Sequence, residues 1–323
     1  MKKYLNWDFL MTRYPAFFPA ILLISSIVIN FILQPNMFDP ETLNGNMRVF
    51  LPLILLAIGQ AIVLIGGGID ISVGGTVSIV NTILATRVGL DGTPELMWKY
   101  VFISMGVGLL AGAINGFFIA HLRLQPIITT YATSFLYAGF ALFILPNPGG
   151  GIPQDIARIY RTVTPLGIPI GFYVIAILLL IWVYVSSTRY GKFLFAVGGK
   201  AEAAYETAVP VTMVRFSTYV ISGFMAALAG ITITLLAGSG NAEIGGPMTL
   251  NAITAAVIGG CAMSGGIGGV AGPIMGAITL SLIQNIISFA SIDTWWETLV
   301  KASIIVIALA APGIINLFQR RKA

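Results

Sequence analysis

The feature that most constrains this chain is a series of long apolar segments separated by short polar ones. Most of these segments approach or exceed the length of a bilayer-spanning helix, which is about 20 residues. They run over Phe17–Leu33, Val49–Ile65, Ile71–Thr86, Tyr100–Ala120, Ile127–Leu145, Ile168–Ser187, Met213–Leu236, Ala252–Met263, Gly272–Phe289 and Leu299–Leu317. Only 9% of the residues are charged, whereas soluble domains carry about 25%. The sequence therefore predicts an all-α polytopic membrane protein with about ten transmembrane helices, forming a single domain over residues 1–323.

The distribution of lysine and arginine predicts how these helices are oriented. If all ten segments cross and the N-terminus is cytoplasmic, eleven of the 17 basic residues lie in cytoplasmic segments and six lie outside. Basic residues concentrate on the cytoplasmic side of membrane proteins. The pattern therefore predicts that both termini are cytoplasmic. It also accounts for the net charge of +5 without a nucleic-acid partner.

The stretch Gly66–Gly75, which reads GGGIDISVGG, interrupts the apolar pattern and predicts a broken helix. Consecutive glycines weaken a helix by about 1 kcal/mol each relative to alanine. Asp70 is expected to cap a new helix beginning at Ile71; the alternative is a proton or cation site, although no second membrane acid is available to support an ion-coupled carrier. The short segment ending at Met263 and its glycine cluster predict a second break. The residues predicted for the translocation pathway or a helix break are Gly67, Gly68, Asp70, Ser72, Gly74, Asn115, Gly259, Gly260, Gly265 and Gly266.

Other polar side chains inside the apolar segments have two possible roles. They either line a route for a polyol or form hydrogen bonds between helices, which is the commoner role of such residues. These residues are Gln60, Asn81, Asn115, Gln125, Gln284 and Asn285.

The loop over residues 186–214 is predicted to be the main cytoplasmic loop and to dock on a partner. Its Lys200–Ala208 stretch has the composition of a short helix that follows a break at Gly198 and Gly199. A helix of about nine residues is marginal alone in water. One face would carry Ala201, Ala204, Tyr205 and Ala208, and this face either inserts into a groove of a partner protein or rests on lipid headgroups.

Several functional classes lack support in the sequence. His121 is the only histidine and Cys261 the only cysteine, so neither a metal site nor an internal disulfide is predicted. No GxxxxGK[ST] phosphate-binding loop is present. The glycines of Gly259–Gly269 lie between membrane segments rather than between a strand and a helix, which argues against dinucleotide binding. The chain is therefore not predicted to be an enzyme.

Four segments, in order, resemble the signature regions of the membrane permeases of bacterial ribose- and galactose-type ATP-binding-cassette sugar importers. They are Gly66–Gly75, Asn115–Thr129, Thr188–Ala204 and Ala252–Gly276. The resemblance extends from about Pro52 to Leu309. It implies a subunit of the bacterial inner membrane that imports a monosaccharide or similar solute by alternating access. The same class with a nucleoside, autoinducer or branched-chain amino acid as cargo is an alternative, and an ATP-independent secondary carrier is a more distant one.

The same resemblance implies partners and coupling residues. Two permease subunits form the pore, cytoplasmic ATPase subunits hold ATP and Mg²⁺, and a periplasmic binding protein delivers the solute, so this chain binds no cofactor itself. The matching coupling residues are Gly191, Lys192, Ala196, Val197, Gly198, Lys200, Glu202, Ala203, Ala204 and Ala208. Four positions depart from the family's common residues, namely Lys192, Gly199, Lys200 and Ala208. These departures leave open whether the permease pairs with itself or with a different permease.

Overall fold

The computed structural model describes residues 17–291 and, beyond them, residues 293, 295–296, 299 and 302–303. Helices supply nearly all the regular structure of this part of the chain, and one isolated β-bridge joins Gly149 to Gly240. The α-helices, numbered in chain order, are α1 Phe17–Leu33, α2 Pro40–Ile65, α3 Val73–Arg87, α4 Pro94–Gly116, α5 Pro126–Ile144, α6 Gln154–Thr162, α7 Ile170–Ser187, α8 Arg189–Gly199, α9 Ala201–Glu206, α10 Val211–Ala237, α11 Gly246–Ile258 and α12 Ala271–Phe289.

Six of these helices are long and apolar enough to cross a membrane, namely α2, α4 with the π-turn Phe117–His121 that extends it, α5, α7, α10 and α12. Two shorter apolar helices, α1 and α11, accompany them. The prediction of an all-α polytopic membrane protein is thus confirmed. The count of ten crossings and the orientation of the termini stay predictions, and most of the segment Leu299–Leu317 lies outside the described residues.

The centre of the molecule is built on α2 and α3, the two helices that flank the first glycine cluster. Nearly every residue of α2 from Phe50 to Ile65 is buried. Helix α10 packs on α2, α3 and α4, while α11 packs on α2 and α12. Burial on all sides keeps α3 inside the protein although it has only 15 residues. The glycine-rich break therefore lies inside a shell of helices, where loosened backbone is tolerated in a membrane protein.

Glycines allow α4 and α10 to approach closely. Gly108 faces the backbone of Gly223, and Gly112 faces the carbonyl group of Tyr219. A Cβ atom at Gly108 would collide with the Gly223 carbonyl oxygen and with the Cβ of Ala227. Small residues spaced four apart let membrane helices pack backbone to backbone. This contact fixes α10 against the rest of the bundle.

The packing predicts different outcomes for two neighbouring substitutions. Gly108→Ala overpacks the contact, and overpacking costs about 1–3 kcal/mol. Gly106→Ala serves as the control, because a Cβ at Gly106 meets nothing within 4 Å. We expect a lower thermal midpoint only for Gly108→Ala, measured on the detergent-solubilised protein by size-exclusion chromatography after heating. Equal midpoints for the two variants would contradict the close α4–α10 contact.

Candidate functional site

The first predicted helix break is present. Helix α2 ends at Ile65 and α3 begins at Val73. The Gly66 amide still donates to the Ile62 carbonyl at 3.1 Å, after which Gly67 turns the chain with a φ of 80°. Because left-handed backbone is strained for residues with a Cβ, glycine suits this position. Seven residues of non-helical chain therefore separate two buried helices.

Asp70 lies in this break and is 1% exposed. Its Oδ1 accepts from the Ser72 amide at 2.9 Å and from the Ser72 Oγ at 2.6 Å, and its Oδ2 accepts from the Ser222 Oγ at 2.8 Å. The expectation that Asp70 caps a helix beginning at Ile71 is wrong, since α3 begins at Val73 and Ser72 precedes it. Aspartate readily accepts from the backbone two residues on and closes a local turn. Its second oxygen ties that turn to α10.

The Asp70 contacts continue into a buried chain of hydrogen bonds. The Asn115 amide nitrogen donates to Ser72 Oγ at 2.7 Å, and Thr133 Oγ1 donates to the Asn115 amide oxygen at 2.7 Å. These side chains join the start of α3 to α4 and α5. The roles of Ser222 and Thr133 were not predicted from the sequence, because a single small polar residue in an apolar helix usually bonds to its own backbone.

Three of the polar residues predicted either to line a route or to bond helices can be placed in one of these roles. Asn81 bonds α3 to α10 and the chain beyond it, with its amide nitrogen 2.9 Å from Thr234 Oγ1 and its amide oxygen accepting from the Asn241 amide at 2.7 Å. Asn115 also bonds between helices. Gln125 instead lines a cavity.

The second predicted break is also present, between the end of α11 at Ile258 and the start of α12 at Ala271. Gly260, Gly265 and Gly266 have φ values of 87°, 86° and 72°. A Cβ at Gly259 would collide with the backbone of Gly272 and Pro273. The glycines thus allow a tight reversal of the chain.

Both helix breaks and the predicted cytoplasmic loop meet at one backbone contact, which we call the glycine junction. It consists of Ile65, Gly67, Gly198, Gly265 and Gly266. The Gly266 amide donates to the Ile65 carbonyl at 3.0 Å. A Cβ at Gly198 would collide with that same carbonyl oxygen, and one at Gly265 would collide with the Gly198 carbonyl oxygen. Three segments remote in sequence therefore meet without side chains between them.

The starts of α3 and α11 also touch. The Gly74 amide donates to Thr249 Oγ1 at 3.1 Å, and the Gly245 amide donates to Ser78 Oγ at 3.1 Å. A Cβ at Gly74 would collide with the Gly245 carbonyl oxygen. These contacts hold the start of α11 against the start of α3, just beyond the first break.

The predicted coupling loop folds as two helices, α8 and α9, rather than one. Thr188 caps α8 by accepting from the Gly191 amide at 3.5 Å. The predicted break at Gly198 and Gly199 is present, because α8 ends at Gly199. The preceding residue, Gly198, is part of the glycine junction. Tyr190 joins α8 to α10 through a hydrogen bond of 2.7 Å with Ser217 Oγ. Burial raises the pKa of Tyr190, and the hydrogen bond to Ser217 opposes that shift.

Helix α9 is shorter than the predicted Lys200–Ala208. It ends at Glu206 because Ala208 has a φ of 60° and the Val209 amide turns back to the Ala204 carbonyl at 3.1 Å. The predicted single docking face is wrong. Ala204 is 4% exposed and packs on the protein, whereas Tyr205 is 75% exposed.

The remaining predicted coupling residues divide by exposure. Gly191, Val197 and Gly198 are buried with Ala204, and the exposed group is Lys192, Ala196, Lys200, Glu202, Ala203 and Ala208. The exposed group leaves a polar surface on the loop, and the buried one fixes the loop to the bundle.

Glycine-interrupted helices that meet inside a helical bundle are typical of membrane transport proteins. Comparison with known proteins identifies the family. The model of the family described as branched-chain amino acid transport system / permease component matches residues 43–309. This chain belongs to that family and is a membrane permease component of a transport system.

Curated relatives match the chain over most of its length. The autoinducer 2 import system permease protein of Photorhabdus temperata is 27% identical over 96% of this chain and 92% of the relative. The galactose/methyl galactoside import permease protein of Escherichia coli K12 is 30% identical over 81% and 83% of the two chains. The ribose import permease protein of Haemophilus influenzae is 27% identical over 92% of each. No solved structure matches.

Proposed function

We propose that this chain is the permease subunit of an ATP-driven importer that carries a monosaccharide or similar polyhydroxylated solute inward. The observation that carries the proposal is the match, over most of the chain, to permeases named for ribose, galactose and autoinducer 2 import. A branched-chain amino acid, named in the family description, and a nucleoside are alternative cargoes. An ATP-independent carrier is a further alternative, and it would take up solute without ATPase subunits.

The proposed topology has ten transmembrane helices in a single domain, with both termini in the cytoplasm of a bacterium and the helices in its inner membrane. The excess of basic residues in the predicted cytoplasmic segments supports this orientation. It places α8 and α9 on the cytoplasmic side. The loop containing α6 then lies outside, where a solute-binding protein would dock.

The proposed mechanism uses separate ATPase subunits, which hold ATP and Mg²⁺, and a second permease subunit. ATPase closure displaces α9 through its exposed residues, with Glu202 and Ala203 at the contact. Helix α8 carries the displacement to Gly198 and hence to the glycine junction. Since the junction contacts both helix breaks directly, a shift there moves the ends of α2, α3 and α11 together. This rearrangement opens the pathway to the cytoplasm.

The proposal predicts that Glu202→Arg uncouples transport from ATP hydrolysis. Glu202 is exposed on α9, so the substitution leaves the bundle intact while reversing the charge at the proposed ATPase contact. We expect solute-stimulated ATP hydrolysis by the reconstituted complex to fall at least tenfold, which corresponds to about 1.4 kcal/mol.

Glu243→Arg is the matched control, because Glu243 is also exposed but precedes α11 on the proposed outer side. It should retain ATPase coupling. Unchanged stimulation in Glu202→Arg, with the subunits still co-purifying, would contradict the proposed contact.

A further inference from the structure

Gln60 is the only polar side chain in the run of α2 from Phe50 to Ile65. It is 0% exposed, and neither its amide nitrogen nor its amide oxygen forms a hydrogen bond with any described residue. Asn81 and Asn115 differ, because each uses both ends of its amide to join helices. Gln60 therefore does not bond helices together in this conformation.

An unpaired amide is unfavourable at this place in the bundle. Both polar atoms of a glutamine amide have hydrogen-bonding capacity, and burying them without partners costs free energy. An apolar side chain of similar volume would fill the same space without that cost. Packing in the described conformation does not account for the glutamine, whereas a second conformation in which the amide meets polar partners does. Local choices that oppose stability are expected mainly at functional sites.

Gln60 also lies close to the parts of the bundle that the proposed mechanism moves. Five residues, or about 7.5 Å along the helix axis, separate it from Ile65, whose carbonyl group belongs to the glycine junction. The preceding residue, Gly59, lies against Ser222 of α10. Ser222 in turn donates to Asp70 in the first helix break. A displacement at the junction therefore acts on the segment of α2 that carries Gln60 and on its contact with α10.

We propose that Gln60 lines the translocation pathway in an open state of the transporter and that the described conformation encloses it, an inference that rests on the proposed function. When α2 separates from a neighbouring helix, the amide meets water or the hydroxyl groups of a passing solute. A hydroxyl group can donate to the amide oxygen and accept from the amide nitrogen. Because the amide is unpaired only in the enclosed state, it also favours opening.

Access of a thiol reagent to this position tests the assignment without depending on the cargo. The complete complex in nanodiscs, supplied with ATP and Mg²⁺, carries either Gln60→Cys or the matched variant Ala61→Cys. Ala61 is also 0% exposed, but successive helical residues point about 100° apart. Labelling by a small water-soluble methanethiosulfonate is followed by mass spectrometry. We expect Gln60→Cys to react at least about fivefold faster, because thiols react as thiolates and need access to the reagent. Wild type, whose only cysteine, Cys261, is buried, measures the background.

A second measurement separates a pathway residue from a structural one. In Gln60→Met an unbranched apolar side chain replaces the unpaired amide. We expect the thermal midpoint of the full-length permease to be unchanged or higher, while uptake of D-ribose or D-galactose by the complete complex falls at least about fivefold because the amide no longer pairs in the open state. Asn81→Leu is the control, because it removes an amide that is paired at both ends, and it should lower the midpoint.

Equal labelling of Gln60→Cys and Ala61→Cys would overturn the proposal. A lower midpoint for Gln60→Met would also overturn it, since the amide would then stabilise the enclosed state, and so would normal uptake by that variant. Faster labelling of Gln60→Cys without uptake of either sugar by wild type would contradict the proposed cargo and support the place of Gln60 in the pathway.

Discussion

Replacing Gly198 with alanine should strongly reduce solute-stimulated ATP hydrolysis and uptake, whereas replacing Gly199 with alanine should leave both intact. A Cβ at Gly198 would collide with the Ile65 carbonyl oxygen and lie 2.6 Å from the Gly266 amide nitrogen. Both neighbours are backbone atoms, so no side-chain rotation relieves the overlap. The junction must separate, and the Gly266 to Ile65 hydrogen bond is lost with it. The loss of activity should be about fivefold to more than a hundredfold, since overpacking costs about 1–3 kcal/mol and about 1.4 kcal/mol corresponds to tenfold.

Gly199 provides a matched control one residue away. A Cβ at Gly199 meets nothing within 4 Å, and the two substitutions are chemically identical. Uptake and ATP hydrolysis are measured on the same proteoliposomes, with expression and subunit association monitored in parallel. Equal activity of the two alanine variants would show that close contact at Gly198 is not needed for coupling.

Asp70→Leu should prevent accumulation of folded permease, and Asp70→Asn should be tolerated far better. Leucine leaves the Ser72 amide, the Ser72 hydroxyl and the Ser222 hydroxyl without their acceptor inside the bundle. Each buried unsatisfied group costs about 1–3 kcal/mol, which is large against a total stability of about 5–15 kcal/mol. In Asn, the amide oxygen still accepts from Ser72, and the amide nitrogen donates to Ser222 Oγ.

Fluorescence-detected size-exclusion chromatography, before and after heating, measures this effect directly. Uptake by the Asn variant separates a structural role from a charge-dependent one. A stable Asn variant that transports supports the hydrogen-bonding role, whereas a stable Asn variant that fails to transport would assign Asp70 to ion or proton binding. Normal stability of Asp70→Leu would contradict the network.

The sequence was sufficient to locate both helix breaks and the loop with its short helix. Glycine clusters inside apolar segments weaken a helix wherever they occur, so Gly66–Gly75 and Gly259–Gly269 could be placed without a structure. The end of α9 was less predictable. It depends on left-handed backbone at Ala208, and the sequence has no glycine at that position to indicate such a conformation.

The meeting of these segments could not be predicted from their local pattern. Gly67, Gly198 and Gly265 lie more than 60 residues apart in sequence, and only the packing of α2, α8 and the α11–α12 turn brings them together. The bond from Ser222 to Asp70 was missed for the same reason. A serine in α10 has no sequence feature that distinguishes it from serines bonded to their own helix.

This permease should import solute only when separate ATPase subunits drive it. The most direct measurement is uptake of radiolabelled D-ribose or D-galactose into proteoliposomes containing the permease, its ATPase and its solute-binding protein, with each component omitted in turn. We predict uptake only in the complete system with ATP and Mg²⁺, and its loss when the ATPase is omitted. Saturable uptake by the permease without the ATPase would contradict ATP-driven import.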